Sequence, residues 1–210
     1  MSGVYPLTVS AIGLFPLGIV LLPGERVPLH IFEPRYKELI NECLALGTEF
    51  GIVLTDGLGS REVGTKAAIV ELLERLPDGR LNILVEGRER FRVLELTTGR
   101  SFITAETVEV EDLPEPPRPE AIAECLAAYR RYADAAQIAV DEPMEEMGKL
   151  SFELAHRVDI NPGPKQELLE MRSESERLIR LGELLDQACL VLRRRATERI
   201  ASLNGQVRRQ

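Results

Sequence analysis

The sequence predicts an α+β fold: a β-rich first half, built as a small barrel or curled sheet with one helix, followed by a compact α-helical bundle. Three observations predict it. Short apolar runs rich in Val and Ile, punctuated by Gly, fill residues 1–112, and long runs rich in Ala, Leu, Glu and Arg fill 120–205. Between them stands LPEPPRP (113–119), where four prolines in seven residues can continue neither a helix nor a central strand; this is a stiff linker or a domain seam.

The elements follow in order. GLFPLGIVLLPGERVPLHIF (13–32) predicts strands broken by turns at Pro16 and at Pro23-Gly24. In LHIFEPRY (29–36) a strand gives way to a helix. After Glu33-Pro34-Arg35, apolar residues recur at Tyr36, Leu39, Ile40, Cys43 and Leu44, a helical spacing. Pro34 suits a first helical position, Glu33 adds charge at the positive helix end, and Gly47 suits a left-handed C-terminal cap. EFGIVLT (49–55) and TKAAIVELLERL (65–76) predict further strands, and Asp78-Gly79 predicts a hairpin. LNILVEGRERFRVLEL (81–96) is a long strand with a bulge expected at Gly87, and SFITAETVEVE (101–111) completes about six strands, for which closure would protect the edges.

In the second half, a helix starts at Pro119 with Ile122, Leu126 and Tyr129 along one face. Asp141 is a cap for a helix through DEPMEEMGKLSFELAHRV, and NPGPKQELLEM (161–171) carries proline start signals. Ser173 and Glu176 form a capping box before the longest segment, whose stripe is Leu178, Leu181, Leu185, Cys189, Leu192, Ala196 and Ile200. Asn204-Gly205 is expected to end it. About four helices with short connections make a bundle.

Composition excludes several functions. The net charge of −8 over 210 residues opposes non-specific binding to nucleic acid, which requires Lys and Arg to neutralise phosphates. Cys43, Cys125 and Cys189 are odd in number and lack metal-ligand spacing, which points to a reduced, cytoplasmic setting. The apolar N-terminus has no Lys or Arg before Arg26 and is interrupted by Pro6, Pro16 and Pro23, unlike a signal peptide. No apolar run approaches the roughly 20 residues of a membrane span.

Motifs for chemistry are absent. Gly148-Lys149 lacks the glycine at 143 and the hydroxyl at 150 of a phosphate loop, since Pro143 and Leu150 stand there. His30 and His156 have no ligand partner at helical spacing, and each cysteine lies on an apolar stripe, which favours inert burial. Arg193, Arg194 and Arg195, like Glu145-Glu146, fit a solvated face. The sequence therefore points to no catalytic residue, no metal site and no cofactor.

One family matches these residues. LFPLGIVLLPGERVPLHIFEPRYKELINECL resembles the opening of the Lon N-terminal domain, the substrate-binding part of the ATP-dependent Lon protease, which also occurs in cereblon-like and stand-alone bacterial proteins. FGIVL, VGTKAAIVELLERLPDGRLNILVEGRERFRV, KQELLE and ERLIRLGELL follow in order, so the likeness runs from about Leu14 to Leu192. The resemblance implies a PUA-like pseudo-barrel and a helical bundle, together forming one domain over residues 10–200. A full Lon continues into ATPase and Ser-Lys protease modules, whereas this sequence ends at Gln210 without them. The expectation is a stand-alone, non-catalytic module that binds unfolded or exposed apolar polypeptide, as an adaptor or regulator in protein quality control, with a protease or chaperone as a further partner. Apolar surface at the seam between halves, or an unpaired strand edge, would supply the contacts. An RNA- or small-ligand-binding PUA-like module is the alternative. The candidate binding residues are Glu33, Arg35 and Tyr36 at the strand-to-helix switch and Arg90 and Phe91 in the long strand, each also able to serve the fold alone.

Overall fold

The computed structural model describes residues 9–57, 59–139 and 149–207, with side chains described as far as Arg194. Its elements run β1 (Ser10–Leu17), β2 (Arg26–Ile31), α1 (Pro34–Leu46), β3 (Phe50–Asp56), β4 (Gly59–Arg75), β5 (Leu81–Thr97), β6 (Thr104–Glu109), α2 (Pro119–Ala136), α3 (Leu150–Ala155), α4 (Pro162–Glu170) and α5 (Glu174–Val207). The expected Asp141 cap, Pro143, Glu145-Glu146 and Gly148 lie outside the described residues. Contacts divide the chain into two units: one holds the strands, α1 and Ala155–Glu170, and the other holds Leu113–Leu154 and the chain from Met171.

In the first unit β1 pairs antiparallel with β6 through Ser10–Gly13, then parallel with β3 through Leu14–Leu17. β3 pairs with β4, β4 with β5, and the second half of β5 with β6, so five strands close a ring. β2 lies outside the ring, antiparallel to the first half of β5. One long strand thus serves two neighbours in turn, and the change happens at Gly87. Thr65 pairs with Arg90 and Ala67 with Gly87, so Arg88 and Glu89 oppose the single residue Lys66: a bulge on β5, where the sequence placed one. Gly87 also meets the turn before β2. Its N–H donates to Glu25 O at 2.9 Å, and Gly24 N–H donates to its carbonyl at 2.9 Å. A Cβ at Gly87 would lie 2.1 Å from Leu22 O, so only glycine permits the approach.

Alternation along β1 and β3 feeds two apolar clusters. Leu14, Val53, Phe91 and Ala105 form one. Phe15, Phe50, Ile52, Leu81, Ile83 and Val85 form the other with Tyr36, Leu39, Ile40 and Cys43 of α1, which covers that side of the sheet. Helix α1 is built as its sequence predicts, with Pro34 in its first turn and Gly47 in the left-handed region, its N–H reaching Cys43 O. The hairpin at Asp78-Gly79 also forms, closed by Leu76 N–H to Arg80 O at 2.9 Å.

The turn at Pro23-Gly24 forms, with Glu25 N–H donating to Leu22 O at 3.1 Å, but two strand readings beside it fail. Pro16 does not break a strand: it lies inside β1, paired with Val53, where β1 has already left β6 and its missing N–H faces no ladder partner. Conversely Val20, Leu21 and Leu22 are buried but not in a strand. Side chains satisfy their backbone instead, with the Thr65 hydroxyl donating to Leu21 O at 2.6 Å and Leu22 N–H donating to Glu25 at 2.8 Å.

Segment 155–170 also departs from the sequence division, which counted it with the helical half at 120–205. Gln166 Nε2 donates to Val63 O at 3.0 Å, Lys165 Nζ donates to Glu25 at 2.6 Å, and Arg90 donates to Leu169 O at 2.8 Å. These bonds fasten α4 to β4, to β5 and to the turn before β2, all far away in sequence.

In the second unit α2 packs on α5. The buried line of α2 is Ala121, Cys125, Ala128, Tyr129 and Ala133, which keeps Tyr129 of the expected face but replaces Ile122 and Leu126, only half-buried, with small side chains that let the helices approach. On α5, Leu178, Leu181, Leu185 and Cys189 are buried as the stripe predicts. Ser173 Oγ accepts from Glu176 N–H at 3.5 Å, one half of the expected box. Fully buried Arg177 binds Glu174 at 2.5 Å, the Ser151 hydroxyl at 2.9 Å and Met171 O at 2.7 Å, and its guanidinium lies over Phe152. Helix α5 runs through Asn204-Gly205 to Val207, since a lone glycine weakens a helix by only about 1 kcal/mol.

Two stability tests follow. Gly87→Ala lowers stability by roughly 1–3 kcal/mol through the clash with Leu22, while Gly18→Ala, which meets nothing within 4 Å, leaves it nearly unchanged in denaturant titration. Tyr36→Ala costs on the order of 3 kcal/mol in thermal melts, because its ring stacks on Phe15 in the core, and Pro34→Ala costs little.

Candidate functional site

The structure separates the five sequence candidates by burial. Glu33 caps the backbone entry to α1 without a side-chain cap bond, and its carboxylate accepts from Arg35 Nε at 3.0 Å. Arg35 lies over the Tyr36 ring, 4.5 Å from its centroid. Tyr36 itself is only 4% exposed, and burial raises its phenol above the usual value. Arg90 is equally buried, bound to Asp112 and Leu169 O, and Phe91 is wholly enclosed. Tyr36 and Phe91 sit in different core clusters, so the five residues do not converge on one surface. Glu33 and Arg35 alone among them face solvent.

Chemistry has little to work with. Among the described residues no group of His, Cys, Asp and Glu could hold a metal. All three cysteines are free and buried. Burial, with the Glu174 charge beside it, pushes the Cys125 thiol up to about 12, which leaves it protonated and unreactive at neutral pH. No described helix is long and apolar enough to cross a membrane.

The surface that stands out is the outer face of β2, β5 and the far half of β4. Register aligns it in rows: Arg26, Glu86 and Ala68; Pro28, Leu84 and Glu71; His30, Asn82 and Glu74. Alternation sends Leu81, Ile83 and Val85 to the core and leaves Asn82, Leu84 and Glu86 on this face. In the third row Asn82 Nδ2 donates to Glu74 at 2.8 Å. A carboxylate only accepts, so the Asn82 amide is fixed and its Oδ1 faces His30 Nδ1 at 2.6 Å. Neutral His30 must then carry its proton on Nδ1, which leaves Nε2 as an acceptor. The row borders an open groove of about 530 Å³ lined by Pro28, Leu29, His30, Leu73, Glu74 and Asn82. Phe32, 58% exposed, stacks against His30 with ring centroids 6.0 Å apart.

Both borders of this face are modified. Among the described residues β2 pairs only with β5, yet it carries Pro28 at its centre. Beyond Ala67, β4 has left β3, but it bulges twice, with Val70 and Leu73 as the extra residues. Edge proline and bulges are the usual devices that stop a strand from accepting another. Val70, Leu72 and Leu73 are exposed all the same. Sequence reading passed over Phe32, Leu73, Glu74 and Asn82. The available signal was the run Val70-Glu71-Leu72-Leu73, whose apolar residues do not alternate as a regular strand requires.

Comparison with known proteins places this geometry. The description "ATP-dependent protease La (LON) substrate-binding domain" matches residues 11–187. The Lon protease of Xanthomonas oryzae pv. oryzae is 31% identical over 185 residues, 80% of this chain and 22% of that protein. That of Cytophaga hutchinsonii is 25% identical over 198 residues, 85% of this chain and 24% of that protein. The chain therefore spans less than a quarter of the length of these curated relatives. Among solved structures, a Lon N-terminal domain protein from Xanthomonas campestris superposes with a TM-score of 0.64 at 27% identity, covering 82% of this chain and 96% of that one. The N-terminal domain of Mycobacterium avium complex Lon protease shares the fold, with a TM-score of 0.57 at 17% identity over 86% of this chain and 98% of that one. With the match running from the first strand of the ring into α5, the chain belongs to the Lon substrate-binding domain family.

Proposed function

We propose that this chain binds exposed apolar segments of polypeptide on the outer face of β2, β5 and β4, as a recognition module with no chemistry of its own. The observation that carries the reading is the groove beside His30, flanked by exposed Phe32 and by Leu73, in a chain whose family is described by substrate binding. A large aromatic side chain left in water just past the end of β2, as Phe32 is, makes a ready anchor for apolar partners. Glu33 and Arg35, next to Phe32, form the rim. Arg90 and Phe91 act indirectly by holding α4 and the ring. Binding without cleavage suits an adaptor or regulator that presents chains to a protease or chaperone.

The borders decide the mode of contact. With Pro28 on one side and two bulges on the other, an incoming chain gains few ladder hydrogen bonds and rests mainly on side chains of the face. Affinity is then modest, roughly micromolar or weaker. RNA would need a basic surface, whereas four arginines of β2, β4 and β5 that reach solvent are paired with carboxylates, Arg26 and Arg88 with Glu86, Arg61 with Asp56 and Arg92 with Glu62, and exposed Arg75 donates to Asn41.

Titration with a reduced, denatured model protein and with single-stranded RNA, each at about 50 and 200 mM salt, tests the reading. We expect micromolar binding of the unfolded protein with a mild salt response, weakened at least about fivefold by Phe32→Ser. Tight RNA binding that falls steeply with salt, with no response to the unfolded protein, would replace it with a nucleic-acid role.

A further inference from the structure

We propose that the groove selects basic side chains, taking an extended polypeptide segment in which a Lys or Arg stands next to an apolar residue. The inference rests on the polypeptide-binding reading and specifies its substrate class. The cation would rest against Glu74 and His30 Nε2, and the apolar neighbour between Pro28 and Leu73.

Two acceptors of the groove are unmatched among the described residues. Glu74 spends one oxygen on Asn82 and makes no ion pair among the described residues. His30 spends Nδ1 on Asn82, and its Nε2 has no partner among the described residues. Both groups therefore offer lone pairs to the groove, and the side-chain donors that line it, the Asn82 amide and His30 Nδ1–H, are already turned to Glu74 and to Asn82 Oδ1. Ammonium and guanidinium groups donate and never accept, which is the complementary set. A second carboxylate, Glu71, stands one row away on the same face.

The nearby cations leave this charge uncompensated. Arg26 is held by Glu86, Arg80 by Asp78, and Arg75 donates to Asn41 of α1 at 3.1 Å. The stacked rings of His30 and Phe32 add a flat surface on which a guanidinium can lie. Net charge of −8 favours the same partners at a distance. An apolar peptide carrying Asp or Glu at the same place would meet Glu74 as a like charge, so the groove discriminates by repulsion as well as attraction.

Three fluorescent peptides test this, identical Leu/Ser sequences with Arg, Gln or Glu at one central position, read by anisotropy against the whole chain. The Arg peptide should bind about fivefold more tightly than the Glu peptide, with Gln between them. Glu74→Gln keeps an acceptor for Asn82 and should erase that preference while leaving the Gln peptide unchanged. Glu95→Gln, at an exposed site in the other half of β5, should keep it. Equal binding of all three peptides, or a preference that survives Glu74→Gln or vanishes equally with Glu95→Gln, overturns the selectivity but leaves polypeptide binding standing. Failure of every peptide to bind overturns both.

Discussion

Two backbone hydrogen bonds join Gly87 to the turn at Gly24-Glu25, and the first unit is arranged around them. They dock the turn on β5 at the point where β5 bulges and changes neighbours. Before the bulge β5 lies between β2 and β4; after it, between β4 and β6. Without a close approach at residue 87, β2 would lose its alignment with β5, and the rows from Arg26 to His30 would not form. Glu25 then extends the junction, accepting from Leu22 N–H and from Lys165 of α4. A ring of five strands, one added strand and a returning helix are thus coordinated by a residue with no side chain.

That junction also explains why an uncovered sheet face exists here. Inside the ring every strand has two neighbours, and edges vanish. The far ends of β4 and β5 outrun the ring and, with β2, make a three-stranded extension whose inner face is sealed by α1 and whose outer face has no cover among the described residues. Such an extension invites aggregation by strand addition. Pro28 and the bulges at Val70 and Leu73 oppose strand addition while leaving apolar side chains accessible.

Much of the framework was legible in the sequence, because it rests on local rules. The Glu-Pro-Arg wedge sets the start of α1, Asp78-Gly79 sets the hairpin, and Gly87 marks the bulge. What was not legible depends on distant partners. Pro16 looked like a breaker because sequence cannot show that β1 changes neighbours at that point. Segment 155–170 looked like part of the bundle because its bonds to Val63, Glu25 and Arg90 reach partners 79 to 140 residues away. The site was hidden for the same reason. His30, Asn82 and Glu74 come from three strands, and their alignment depends on both bulges of β4: without them, Glu74 would not reach the row of Asn82. Arg90 and Phe91 of the long strand are both enclosed.

The central claim is that unfolded polypeptide meets the outer face of β2, β5 and β4. Residue-resolved amide exchange or chemical-shift mapping, with and without a saturating reduced, denatured protein, tests it most directly. Changes should concentrate at residues 26–32, 68–75 and 81–86. Changes confined to the exposed Leu94 and Leu96 region of β5, or to α2 and α5, would contradict it.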